Sequence, residues 1–203
     1  NAMKKLSEKL PAGSGKIYPF TAPKENLNEG FTSSSKVNYV AHCGTFAGSG
    51  YSYTGALRIL KVMLSYDYLW INIRVKGGAY GCMSGIGRSG EGYFVSYRDP
   101  EVKKSDDIYL GIPAYLENFE ADERTMTKYV IGTISELDTP LTPRAKGSRS
   151  YRSYKTGYTE ADMQTERDQV LATDQKKVRE AAKMVEAILS DDKICVLGGE
   201  EKV

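Results

Sequence analysis

The sequence predicts an α+β domain: a mainly antiparallel sheet with helices packed on one face. Three observations carry this reading. A β-type run at residues 37–43 precedes a long apolar pattern of helical period. Two strand-like segments, 79–84 and 92–97, flank a glycine-rich turn and read as a hairpin. The second half is helical almost throughout and closes on a short strand at 194–197. That order sets helices against an antiparallel sheet and argues against a doubly wound fold.

Each element has a local reason. In residues 37–43, Val37, Tyr39, Ala41 and Cys43 share one face, and Asn38, Val40 and His42 the other. From Thr54 a helix starts, with Leu57, Leu60 and Leu64 on one stripe and Ile59, Met63, Tyr66 and Trp70 on a second. A helix apolar on two sides sits deep in its protein. Gly77-Gly78 ends it. Residues 103–119 are helical with a kink or restart at Pro113. Asp122 caps a helix running to Leu137, Thr142-Pro143 opens another, and Thr159 with Asp162 forms a capping box. Asp174 caps a last amphipathic helix carrying Val178, Ala181, Ala182, Val185 and Leu189. Residues 10–36, rich in Gly, Pro, Ser and Lys, read as a linker or an edge-hugging arm.

The 203 residues suit one domain, at about 150 residues per domain. The leading Asn1-Ala2-Met3 has the look of an expression scar, so residues 1–16 are set apart as scar and linker, and 17–203 as a single domain. With 28 Lys plus Arg against 26 Asp plus Glu, the net charge is +2, which disfavours nucleic-acid binding through bulk charge. No apolar leader follows the charged start, and the most apolar stretch, 57–75, is interrupted by four charges, so neither a signal peptide nor a membrane span is expected. One histidine, His42, rules out a histidine-rich metal site within this chain. Cys43, Cys82 and Cys195 form no CxxC pair, which leans toward a reducing compartment, the cytoplasm if the source is bacterial.

Four motifs invite chemistry. Gly85-Ile-Gly-Arg-Ser-Gly90 matches a dinucleotide fingerprint, but a strand follows it where a helix is required, so a hairpin tip is the better reading. Gly13-Ser-Gly-Lys16 lacks the spacing of a phosphate loop. His42 and Cys43, as strand neighbours, point to opposite faces, which favours a hydrogen-bonded structural His and a buried Cys over a nucleophilic pair. Residues 144–155 are basic with Tyr151 and Tyr154 interleaved. They fit single-stranded nucleic acid, a solvated helix face, or a chamber wall facing an acidic partner.

Arg74-Val-Lys-Gly-Gly-Ala-Tyr80 is the most informative stretch. An Arg in the last helical turn suits the helix dipole. The same geometry lets a guanidinium and a phenol converge across the Gly-Gly turn, where together they can hydrogen-bond a peptide carbonyl and stabilise charge developing on it.

Asn28-Glu-Gly-Phe31, Val37-Asn-Tyr-Val40, residues 74–81, Ser96-Tyr-Arg-Asp-Pro100 and Ile131-Gly-Thr-Ile134, in this order, resemble the C-terminal domain of the presequence proteases, a branch of the pitrilysin/insulinase zinc metallopeptidases. The resemblance spans roughly residues 17–198. It implies one of four related α+β domains, akin to those of pitrilysin and the mitochondrial processing peptidase, that close as two halves around a chamber. It implies Zn2+ held in the first domain by an HxxEH motif whose Glu is the general base. It implies unfolded peptides as substrates and the N-terminal domains of the same polypeptide as partners. Arg74 and Tyr80 match the Arg and Tyr that reach the substrate backbone. With one histidine and no HxxEH, this chain is expected to hold no zinc, to carry no catalytic residue and to be inactive alone. The alternatives are a noncatalytic peptide- or partner-binding module of the same family and, last, a single-stranded nucleic-acid binder.

Overall fold

A computed structural model describes residues 2–16, 19–21 and 28–203. Asn1 and parts of the expected arm, 17–18 and 22–27, lie outside the described residues. Among the described residues five strands form one sheet: β1 (Glu29–Ser33), β2 (Asn38–Thr45), β3 (Gly81–Ile86), β4 (Glu91–Asp99) and β5 (Lys193–Gly199), in the order β1-β5-β2-β4-β3. Only β1 against β5 is parallel; the other pairs are antiparallel. The mainly antiparallel α+β class follows. At residues 29–33 the expected linker is in fact an edge strand. The run Glu29-Gly-Phe-Thr-Ser33 has little apolar alternation, so its pairing comes from β5 and not from its own pattern. Residues 2–7 form a short exposed helix, α1 (Ala2–Ser7).

One face of the sheet is covered by helices. Val40, Phe94 and Val196 lie on it and are buried with Leu57, Leu60, Val185 and Ile188 in a single apolar core. Burying each such side chain contributes about 1.5–3 kcal/mol. His42 is on this inner face too, fully buried, between the Asp106 carboxylate at 2.8 Å and the Leu189 carbonyl at 3.2 Å. It is the expected structural histidine. Cys43 is not the expected buried cysteine: it points to the uncovered face and is exposed.

The central helix departs from the simple pattern. α2 (Ala56–Met63) continues as π-helical turns at Leu64–Tyr68 and Trp70–Val75. The wider turn shifts the buried stripe by one residue. Leu64 is buried as its stripe predicts and Leu69 and Ile73 are buried beyond it, whereas Tyr66 and Trp70, expected inside by α-helical spacing, are exposed. The helix ends as expected at Gly77-Gly78, where Gly78 has φ +81°.

The hairpin glycines behave as a tip. Gly87 N–H donates to the Glu91 carbonyl at 2.7 Å, and a Cβ on Gly87 would meet the Glu91 carboxylate. A strand follows and an acidic group occupies the turn, so no phosphate cradle forms.

The remaining helices are α3 (Val102–Leu110), α4 (Ile112–Glu117), α5 (Glu123–Leu137), α6 (Pro143–Thr156), α7 (Glu160–Leu171), α8 (Gln175–Glu180) and α9 (Ala182–Leu189). Pro113 opens α4 in a helix-compatible position. Asp122, Thr142, Thr159 and Asp174 each accept a backbone N–H as N-caps, and Thr159 with Asp162 makes the capping box. The single last helix of the sequence reading is two, broken at Ala181. Among the described residues no helix is long and apolar enough to cross a membrane.

Candidate functional site: the Arg74–Tyr80 corner

The π-helical turn ends within six residues of β3, and the Gly77-Gly78 corner folds the chain back on itself. Arg74 Nη1 donates to the Ala79 carbonyl at 2.9 Å. This bond fixes the guanidinium across the corner it spans. The Arg74 Cζ lies 5.2 Å from the Trp70 ring centroid and 5.2 Å from that of Tyr80. Both are within cation–π range. Tyr80 is 56% exposed, and its hydroxyl makes no hydrogen bond among the described residues. Its backbone N–H donates to the Arg98 carbonyl at 3.2 Å, and its ring packs against Tyr97 at 5.7 Å. The two residues singled out from sequence are thus brought together, one anchored and one with a free phenol. The corner offers N–H donors from a guanidinium and an O–H donor from a phenol on one surface.

Sequence reasoning missed two members of this corner. Trp70, expected in the core, is exposed and stands one helical turn from Arg74. Arg98 stood within a recognised motif without a role, yet its Cζ lies 5.3 Å from the Tyr80 ring centroid.

From this corner spreads the uncovered face of the sheet. Tyr39 pairs with Leu197 on one side and with Tyr97 on the other, and Phe31 pairs with Leu197 beyond. Phe31, Tyr39, Met83, Tyr93 and Leu197 are all exposed. Tyr97 and Tyr93 lay their rings over Gly81 and Gly85 of β3, where a Cβ would come within 2.5–2.6 Å of them. This face is aromatic where a solvated antiparallel face is ordinarily polar.

A second cluster, also missed, is structural. Glu166 of α7 is buried and receives Arg58, Arg88, Tyr158 and Tyr53, the last at 2.7 Å. Burial opposes its ionisation, but the hydrogen bonds from Arg58, Tyr158, Arg88 and Tyr53 win and hold its pKa down at about 2. The partners come from sites up to 113 residues away in sequence, so no local pattern could reveal them. Arg88 also lies 3.9 Å over the ring of Tyr158 in the turn before α7, and with its Glu166 ion pair this fastens the hairpin tip to α7.

The basic segment forms α6. No residue of α6 is buried, and Tyr151 and Tyr154 are exposed. Arg144, Arg149 and Arg152 line a cleft with Arg88 and Arg167, away from the Arg74–Tyr80 corner.

The α+β layer of this topology has the fold of M16 peptidase domains. The crystal structure of a protease from Helicobacter pylori superposes with TM-score 0.68 at 14% identity, covering 97% of this chain and 52% of that one. A peptidase M16 inactive domain from Pseudomonas fluorescens gives TM-score 0.61 at 18% identity over 96% of this chain and 48% of the other. The sequence profile described as the PreP C-terminal domain matches residues 28–198, and the chain belongs to that family. HypA of Clostridium perfringens is 45% identical over 92% of this chain and 19% of its own length. Presequence protease 1, chloroplastic/mitochondrial, of Arabidopsis thaliana is 34% identical over 79% of this chain and 15% of its own. The chain therefore spans less than a fifth of the length of these curated relatives.

Presequence proteases and their pitrilysin-family neighbours are metallopeptidases, and zinc is the metal the family implies. The residues described here do not fit it. Among them no group of three or more His, Cys, Asp or Glu could hold a metal ion. Burial pushes the thiol of Cys82, near the corner, up to about 11.

Proposed function

We propose that this chain is the substrate-binding C-terminal domain of a zinc metalloendopeptidase that degrades unfolded peptides in a closed chamber. In this reading the zinc and its general base belong to the N-terminal domains of the same polypeptide. Arg74 and Tyr80 hydrogen-bond the backbone carbonyl of the bound peptide and stabilise the charge that develops on it. The observation that carries the reading is the corner itself. Arg74 is held at 2.9 Å to Ala79 and stacked against Tyr80, so two donors are oriented before a substrate arrives. The exposed aromatic sheet face beside it supports a wall against which an extended peptide can lie.

The test is made in the full polypeptide. Arg74→Ala and Tyr80→Phe should each lower kcat by about 10²–10³-fold, the loss of roughly 2.7–4 kcal/mol typical of a removed oxyanion donor. KM should move far less. Wild-type turnover in both variants would overturn the assignment. The competing reading, a noncatalytic module, is separated by the reading frame upstream: an HxxEH motif there favours the peptidase, and its absence the module.

A further inference from the structure

Arg98 occupies a position that strict strand geometry would not give it. Along β4, Phe94 and Ser96 point into the helix-covered core, and Tyr93 and Tyr97 point to the open face. Simple alternation would send Arg98 inward as well. Instead the pairing with β2 breaks: Tyr39 opposes Tyr97, Asn38 opposes Asp99, and Arg98 is the extra residue of a β-bulge. Its φ is +49°, in the left-handed region that is unfavourable for a residue with a Cβ.

The bulge accomplishes two things. Asp99 turns inward and is buried, accepting hydrogen bonds from Ser105 Oγ at 2.6 Å and from the Glu101 N–H at 2.9 Å. Arg98 turns outward and sets its Cζ 5.3 Å from the Tyr80 ring centroid. Tyr80 is thereby flanked by two guanidinium groups, Arg74 and Arg98. Neither has a carboxylate partner among the described residues. Arg74 spends a donor on Ala79, whereas Arg98 has only the ring.

We infer that Arg98 is a carboxylate-binding residue, added to the Arg74–Tyr80 corner by the bulge, that holds an ionised carboxyl group of the bound peptide. Two cations beside one phenol without a counter-charge favour an anion. A planar fork of N–H donors matches a carboxylate better than it matches a single carbonyl. An unfolded peptide supplies that group either at its C-terminus or from an Asp or Glu side chain. A non-glycine residue in the left-handed region at a bulge is a known way for a site to aim a side chain.

The inference rests on the proposed peptide-binding role of the corner, but its test does not depend on turnover. Three fluorescent peptides of one neutral sequence are compared by anisotropy on the full polypeptide: a free C-terminal acid, its amide, and the amide with one internal Glu. Arg98→Gly suits the positive φ and keeps the bulge. It should raise Kd about tenfold for whichever carboxylate-bearing peptide uses the site, and leave the uncharged amide unchanged. Arg98→Lys, which keeps the charge but not the fork, should recover part of the loss. A change in the acid alone assigns the C-terminus, and a change in the Glu peptide alone assigns a side chain; either supports the inference. Equal weakening of all three peptides, or no change in any, would overturn it. If Arg74 and Tyr80 prove dispensable for turnover while Arg98→Gly still discriminates the peptides, the carboxylate site stands and the catalytic reading falls.

Discussion

At the scale of single residues, the ionisable groups divide by what surrounds them. Glu166 has its folded pKa held at about 2, against an ordinary value of 4.5. A depressed carboxyl contributes stability that is fully present above its unfolded pKa and lost as pH falls through the folded one. The contribution should therefore be complete above pH 4.5 and decline from there toward pH 2. Glu166→Gln should lower stability by about 3 kcal/mol at neutral pH, the low end for a broken buried pair, because Arg58 and Arg88 keep access to water. Urea unfolding followed from pH 7 to pH 3 checks this. The variant should lose the part of the acid slope that belongs to Glu166, and an unchanged slope would contradict the hub. His42 illustrates what the sequence could reveal. Its neighbours on the strand declared two faces, so a structural role was legible. Its partner Asp106 and the Leu189 carbonyl come from distant segments and were not. Burial lowers the His42 pKa, but the hydrogen bond and charge of Asp106 and the Leu189 carbonyl leave it above 6.5. The stability gained there is fully present below pH 6.5 and fades as pH rises through the folded value.

At the scale of elements, caps and turns were readable because their chemistry is local. Asp122, Thr142, Thr159 and Asp174 bond to N–H groups three residues on, within one turn of sequence. The π-turns were not readable, because a helix chooses that wider register when the sheet beneath rewards it, and a periodicity count assumes one register throughout. The bulge at Arg98 and the edge strand β1 escaped for the same reason: each is decided by the strand next to it. Glycine gives an element-scale test with opposite signs. Gly78 holds φ +81° between Arg74 and Tyr80, so Gly78→Ala should destabilise by about 1 kcal/mol and disturb the corner. Gly147 lies inside α6 with no atom within 4 Å of an added Cβ, so Gly147→Ala should stabilise that helix by about 0.5–1 kcal/mol. Because α6 buries nothing, the gain should appear as slower hydrogen exchange across Pro143–Thr156, with little change in global unfolding. Faster exchange there would contradict it.

At the scale of the whole molecule, the sheet is finished on one side only. Its inner face is sealed by helices into one core, and its outer face carries Phe31, Tyr39, Met83, Tyr93 and Leu197 in the open. The chain spans less than a fifth of these curated relatives, and in the proposed reading this face is a wall, with the reacting groups supplied by the domains that face it. That division of labour makes a prediction for the 203-residue chain by itself. In that reading the Arg74–Tyr80 corner orients a carbonyl; among the described residues no group of three or more His, Cys, Asp or Glu could hold a metal ion, and burial pushes the Cys82 thiol up to about 11. The isolated chain should leave peptides intact over hours, with or without added Zn2+. A tightly bound ion would raise the melting temperature in proportion to RT ln(1 + [L]/Kd), so thermal unfolding with Zn2+ and with a chelator gives a second measurement that needs no substrate. The expected result is one melting temperature in all three conditions. A rise with zinc that the chelator reverses, together with peptide cleavage, would place the chemistry on this chain and overturn its reading as the substrate-binding wall.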